Sequence, residues 1–230
     1  MHSYINSSKT FFFSFLFVTP VLFIYEFLFF FKYRTENYLR NPFDSLIFNN
    51  ILVFDKYSQL IFLLIFSVFA IYTILNEFRS INDVKIFYFF LMFLESFAWG
   101  TILYYLMFNF EMLILSVNIN NSILDNIYLS IGAGIWEELV FRLVGINILV
   151  KLLFLYEYSL TYSYIVSIIL TSIIFSFAHY SGSFGELFSF ATFLYRFIAG
   201  VMLGIIYSIR GYGITVYTHI FYNTAIVTQI

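Results

Sequence analysis

Residues Thr10–Phe31 read TFFFSFLFVTPVLFIYEFLFFF. This run exceeds the roughly 18–20 apolar residues that cross about 30 Å of hydrocarbon as a helix, with Glu26 its one acidic residue. Lys9 precedes it, as in a signal peptide, but no small-residue cleavage site follows and the run continues past Glu26, so it reads as a retained span. Leu60–Leu75 and Ile86–Phe108 repeat the pattern. Hydrophobic residues make up 62% of the chain and charged residues 10%, against about 25% charged in a soluble domain, so lipid is the solvent the composition fits. In lipid every backbone N–H and C=O must be bonded internally, and these runs lack the alternation of a barrel strand. The expected fold is therefore all-α, a polytopic transmembrane helical bundle of about seven spans.

The spans are expected near 10–32, 57–76, 86–109, 127–150, 162–180, 187–209 and 212–229. The longest polar connection, Lys32–Lys56, contains Arg40, Asn41, Pro42 and Asp44 and reads as an ordered interfacial loop. Counting Lys and Arg on the two sides does not fix the orientation: Lys9, Arg79, Lys85, Lys151 and Arg210 fall on one side, Lys32, Arg34, Arg40 and Lys56 on the other. The expected location is integral and multi-pass, in the cell (inner) membrane. With no cysteine, disulfides, thiolate metal sites and a Cys nucleophile are excluded. A net charge of −2 without a basic cluster argues against nucleic acid as a partner. The 34 Phe and 20 Tyr accompany abundant Ile and Asn, so they reflect compositional bias as readily as a binding surface.

A charge at mid-bilayer costs about 2.5–3.5 kcal/mol on the most lenient scale, so each one needs a partner or a purpose. The fourth span carries Trp136-Glu137-Glu138-Leu139-Val140-Phe141-Arg142. Glu138 and Arg142, four apart in the favourable acid-before-base order, are placed to neutralise each other, while Glu137 faces about 100° away. His179 closes Phe175–His179 and His219 opens His219–Asn223, each pair one turn apart on a helix face. Taken singly, each of these is more simply a hydrogen-bonding residue that glues helices together. Jointly they are not, because two acids, an arginine, two histidines and an amide gather in one half of the chain. His2 lies in the N-terminal tail. Glu26 and Glu95, deep in the first spans, read as structural groups paired with a Tyr or an Arg elsewhere in the bundle.

These residues form three ordered motifs, Glu137-Glu138-x-x-x-Arg142, Phe175-x-x-x-His179 and His219-x-x-x-Asn223. In them the sequence resembles the CPBP family of intramembrane proteases, which includes the CAAX prenyl endopeptidases and Abi-like proteins of bacteriocin processing or immunity. The resemblance runs from about Gly132 to Asn223. It implies N-terminal spans and a loop over 1–120 and a catalytic transmembrane core over 121–230. Phe193-x-x-Arg196-Phe197-x-x-Gly200 and Arg210-Gly211-Tyr212-Gly213 also look like family features and read as packing and turn elements.

The resemblance implies peptide-bond hydrolysis of a membrane-associated protein or peptide. Glu137 would act as general base with His179 orienting the water, His219 and Asn223 as oxyanion donors, and Glu138 and Arg142 holding the helix in register. Low dielectric suits such chemistry, since it strengthens contacts to a developing oxyanion. No cofactor is expected on this reading. The rival within proteolysis is zinc held by His179, His219 and Glu137, a His2Glu set, although no His-Glu-x-x-His helix is present. A serine triad is a poorer account, for no Ser sits in a nucleophile elbow. Outside proteolysis stand an ion-coupled transporter and a non-catalytic immunity or scaffold protein. The expected boundaries leave one difficulty. They put His179 near a membrane surface and Glu137 and His219 about 10–15 Å deeper. Either the fifth span runs past Tyr180 or the fourth begins near Gly134.

Overall fold

A computed structural model describes residues 2–33, 41, 44, 68, 72, 86–111, 122–181 and 185–228. Among them every regular element is helical: α1 (His2–Ser8), α2 (Phe11–Leu28) with a π-helical extension (Phe29–Tyr33), α3 (Ile86–Glu111), α4 (Ile123–Glu137), a π-helical segment (Glu138–Ile146), α5 (Asn147–Leu155), α6 (Leu160–Ala178), α7 (Phe190–Arg210) and α8 (Tyr212–Thr228). Six of the seven expected spans correspond to described helices, and the one near 57–76 lies outside the described residues except for 68 and 72. Phe11–Phe31, Ile86–Phe108, Leu160–Ala178 and Phe190–Arg210 are each long and apolar enough to cross a bilayer. Of the Lys32–Lys56 connection, Asn41 and Asp44 are described and both are buried.

Local chemistry fixes the helix ends. Thr10 caps α2 by accepting from Phe13 N–H, and Ser122 and Asp125 form a reciprocal capping box that starts α4. Ser159 caps α6 through Tyr162 N–H. Between α7 and α8 the chain turns on Gly211, whose φ of 81° is strained for residues with a Cβ.

The sequence places the start of the fourth span several residues too late and its end too early. α4, the π segment and α5 run without a break from Ile123 to Leu155, and α6 stops at Ala178 with His179 as its cap. Neither expected adjustment therefore occurs. The difficulty disappears for another reason: the helical hairpin is nearly symmetric about its turn. Glu137 stands 18 residues back from Leu155 and His179 stands 19 residues on from Leu160, about 27 Å and about 28 Å from the turn at 1.5 Å per residue.

α8 is the central helix, with Thr215, Val216 and Thr218 fully buried. Its Val216 and Ile220 join Val18, Leu22, Tyr128, Ile135 and Trp136 in one apolar cluster that binds α2, α4 and α8. Tyr222 joins Leu103, Met107, Tyr195 and Leu203 in a second, which binds α3, α7 and α8. At the N-terminal end Arg210 of α7 donates to both oxygens of Glu95 on α3, through Nη2 at 2.8 Å and through Nε, and to Ser8 Oγ at 2.9 Å. Tyr4 donates to Glu95 Oε2 at 2.7 Å. Burial and the adjacent carboxylate hold the Tyr4 phenol above its usual range, so it remains a donor. Glu95 thus has both the Tyr and the Arg that its burial required. Glu26 is buried in α2 at 1% exposure.

Close approach of α4 and α8 depends on Gly134. A Cβ there would run into Ile220 Cγ1 and stand 2.9 Å from the Val216 carbonyl. Gly134→Ala is expected to lower stability by about 1–3 kcal/mol through overpacking, read as a lower midpoint of thermal unfolding in detergent.

Candidate active site

The helix changes character at the two glutamates. Glu137 is the last residue of α4 and Glu138 the first of the π segment, whose i→i+5 coil is rare and frequent at functional sites. The wider coil brings residues four apart nearly into line. Arg142 Nη1 lies 3.2 Å from Glu138 Oε1, with side chains 1% and 0% exposed, so the expected intrahelical pair is formed. The same oxygen lies 2.7 Å from His219 Nδ1 on α8. Arg142 Nη2 donates to the Gly200 carbonyl of α7 at 3.2 Å. Glu138 therefore joins α4 to α8, and Arg142 extends the link to α7.

Glu137 is buried, with 5% exposure, and its Oε1 accepts from Asn41 Nδ2 at 3.2 Å. Its carboxylate is close enough to act electrostatically on both the Arg142 guanidinium and the His179 imidazole. His179 is half-buried at the end of α6, with Nδ1 2.9 Å from the Phe175 carbonyl. A carbonyl only accepts, so Nδ1 carries the proton and Nε2 is the acceptor in the neutral ring.

Phe175, part of a motif but given no role from sequence, is the centre of this group. Its ring meets His179 edge-on at 4.9 Å and His219 at 6.4 Å, and the Arg142 guanidinium lies over it at 4.6 Å. The bundle thus brings Arg142, His179 and His219 around one buried ring, with Glu138 bonded to Arg142 and His219 and Glu137 within electrostatic reach of Arg142 and His179. Asn223, one turn beyond His219, is half-buried, and its side chain makes no hydrogen bond among the described residues. The other motif residues serve as packing and turn elements. Gly200 receives Arg142, Gly211 makes the turn, and Arg196 pairs with the exposed Glu186 through Nη2, 2.8 Å from each oxygen.

No group of three or more His, Cys, Asp or Glu side chains among the described residues is gathered to hold a metal ion. The donors of the zinc alternative, Glu137, His179 and His219, do not form such a set. A cleft of about 220 Å³ between α2 and α4, lined by Phe15, Val18, Leu22, Ile135, Trp136 and Leu139, contains no charged group and is separate from the cluster.

The sequence reading missed Asn41, and with it Tyr25 and Asp44, which hold it. Its only signal was a polar stretch in an otherwise apolar N-terminal half, and nothing in that stretch indicates a partner 96 residues away.

An all-helical bundle of membrane-crossing length, with ionisable groups of three helices meeting in its interior, belongs to the class of integral membrane proteins with a buried polar site. Residues 118–225, a little under half of the chain, match the family described as Rce1-like, type II CAAX prenyl endopeptidase. The family is one of membrane-embedded proteases of the CAAX type. Comparison with curated proteins and with solved structures gave no match.

Because Arg142 and Glu138 are buried together, removing one leaves the other uncompensated. Arg142→Met is expected to cost about 3–5 kcal/mol, and Glu138→Gln/Arg142→Met less than the sum of the single changes. Denaturation of the four proteins of this double-mutant cycle in detergent measures both.

Proposed function

We propose that this protein is an intramembrane endopeptidase of the glutamate type, which hydrolyses a peptide bond of a membrane-associated protein or peptide in the cell (inner) membrane. On this reading residues 121–230 form the catalytic core, and 1–120 supply additional spans and a connection that reaches the site. The observation that carries the reading is the grouping of His179, His219 and Arg142 about Phe175, with the Glu137 carboxylate within electrostatic reach of the same arginine and of His179.

A water held between Glu137 and His179 Nε2 gives up a proton to the Glu137 carboxylate as its oxygen attacks the scissile carbonyl. The oxyanion forms opposite His219 and Asn223. Collapse of the tetrahedral intermediate breaks the C–N bond, and Glu137 returns its proton to the leaving amine. His219 directs Nδ1–H at Glu138, so it can donate to an oxyanion through Nε2 only if both ring nitrogens are protonated. Glu138 and Arg142 hold the site together without touching the substrate. No step passes through a metal.

Glu137→Gln and His179→Ala are each expected to reduce cleavage of a quenched, farnesylated CAAX peptide at least about 10²-fold while the proteins stay folded in the membrane. Wild-type cleavage should be unchanged by a metal chelator. Full activity in either variant would remove that residue from catalysis, and activity lost on chelation and restored by zinc would favour the metalloprotease.

A further inference from the structure

The two adjacent glutamates are held by different chemistry. Glu138 faces a guanidinium and an imidazole, whereas Glu137 accepts from a neutral amide, that of Asn41. Asn41 is 4% exposed and is itself fixed. Its backbone N–H donates to Tyr25 Oη at 3.1 Å, and Tyr25 Oη donates to Asp44 Oδ2 at 2.9 Å. Tyr25 is fully buried and lies flat on Tyr128 of α4, with ring centroids 4.6 Å apart and planes 9° apart. This position exists because residue 132 is glycine: a Cβ there would come within 2.7 Å of the Tyr25 ring. A continuous path of contacts thus runs from α4 through Tyr25 to Asn41 and back to α4 at Glu137.

We propose that Asn41 is a positioning residue for the Glu137 carboxylate, holding Oε1 so that Oε2 is presented to the water. The inference rests on the reading of Glu137 as general base. The residue type suits the task. An arginine in this place would pin the carboxylate but bind its charge, as Arg142 does for Glu138. An amide orients the group and leaves the charge available for a proton. Charged groups act on Glu137 from its own helix, through Arg142, and from α6, through His179. Neither fixes the rotation of the carboxylate, since no hydrogen bond joins them to it among the described residues.

The test uses the full-length protein in detergent and two readouts. In infrared spectra, the carboxylate stretching band that vanishes in Glu137→Gln reports on Glu137 without any substrate. It is expected to change frequency in Asn41→Ala and in Asn41→Asp, which keeps the size of the side chain and loses the donor. Asn41→Gln, which keeps the amide, should leave it closer to wild type. Tyr25→Phe retains the stacked ring and should shift it in the same sense by less. With the farnesylated CAAX peptide, Asn41→Ala and Asn41→Asp should lower kcat about ten- to a hundredfold with KM changed by less than about twofold, and Asn41→Gln should recover part of the loss. An unmoved Glu137 band in Asn41→Ala, or unaltered kcat, overturns the proposal. If Glu137→Gln is inactive while Asn41→Ala is fully active, positioning fails and the general-base reading stands. If Glu137→Gln keeps full activity, both fall.

Discussion

A carboxylate with no exposure to water, inside a bundle that lies in lipid, persists only if opposite charge and hydrogen-bond donors reach it. Glu138 meets this condition from two helices at once. One of its oxygens takes Arg142 from its own turn and His219 from α8, and Arg142 passes the connection to the Gly200 carbonyl of α7. Three of the helices that frame the site are therefore tied by a network whose members cannot separate without stranding a charge. Apolar packing around Val216, Ile220, Ile135 and Trp136 provides contact area, but it does not specify which turn of α8 opposes which turn of α4. The polar network does.

Glu137, next in the chain, is spared this fate by geometry. The side chains of successive residues leave a helix in different directions, so the cations that satisfy Glu138 do not saturate its neighbour. What reaches Glu137 is an amide, together with the field of Arg142 and of His179. The same two-residue sequence thus supplies a clamp and an open carboxylate. Phe175 meets both histidines edge-on.

The spacing of charged residues made much of this site legible before any coordinates. Glu138 and Arg142 at i,i+4, and His179 and His219 in otherwise apolar spans, stood out because each must find a partner inside lipid. The pairing of Glu95 with a Tyr and an Arg was legible for the same reason. Other features left no such mark. The extent of the helix from Ile123 to Leu155 was misread, since its first turns contain Asp125 and Asn126 and its last follow Lys151, all of which look like surface. The π coil has no pattern of its own in an apolar run. Asn41 escaped notice because an asparagine in a polar connection is unremarkable, and its significance depends on a fold that carries it to Glu137. The resemblance marked Phe175 as part of a motif, but only packing reveals a ring shared by two histidines and an arginine.

The π segment has a further consequence for how one long helix serves two sets of neighbours. In a uniform α-helix the buried face continues in one direction, apart from a slow drift. A stretch of wider coil inserts a phase offset, so the rods on either side are rotated about their common axis like the throws of a crankshaft. Before the offset, Ile135 and Trp136 look toward α2 and α8; at its end and beyond, Ile146 and Val150 look toward Ile168 on α6. Losing a single residue within Glu138–Ile146 would relax the coil and swing one of these faces out to the lipid, so this stretch should resist shortening even where its individual side chains accept replacement.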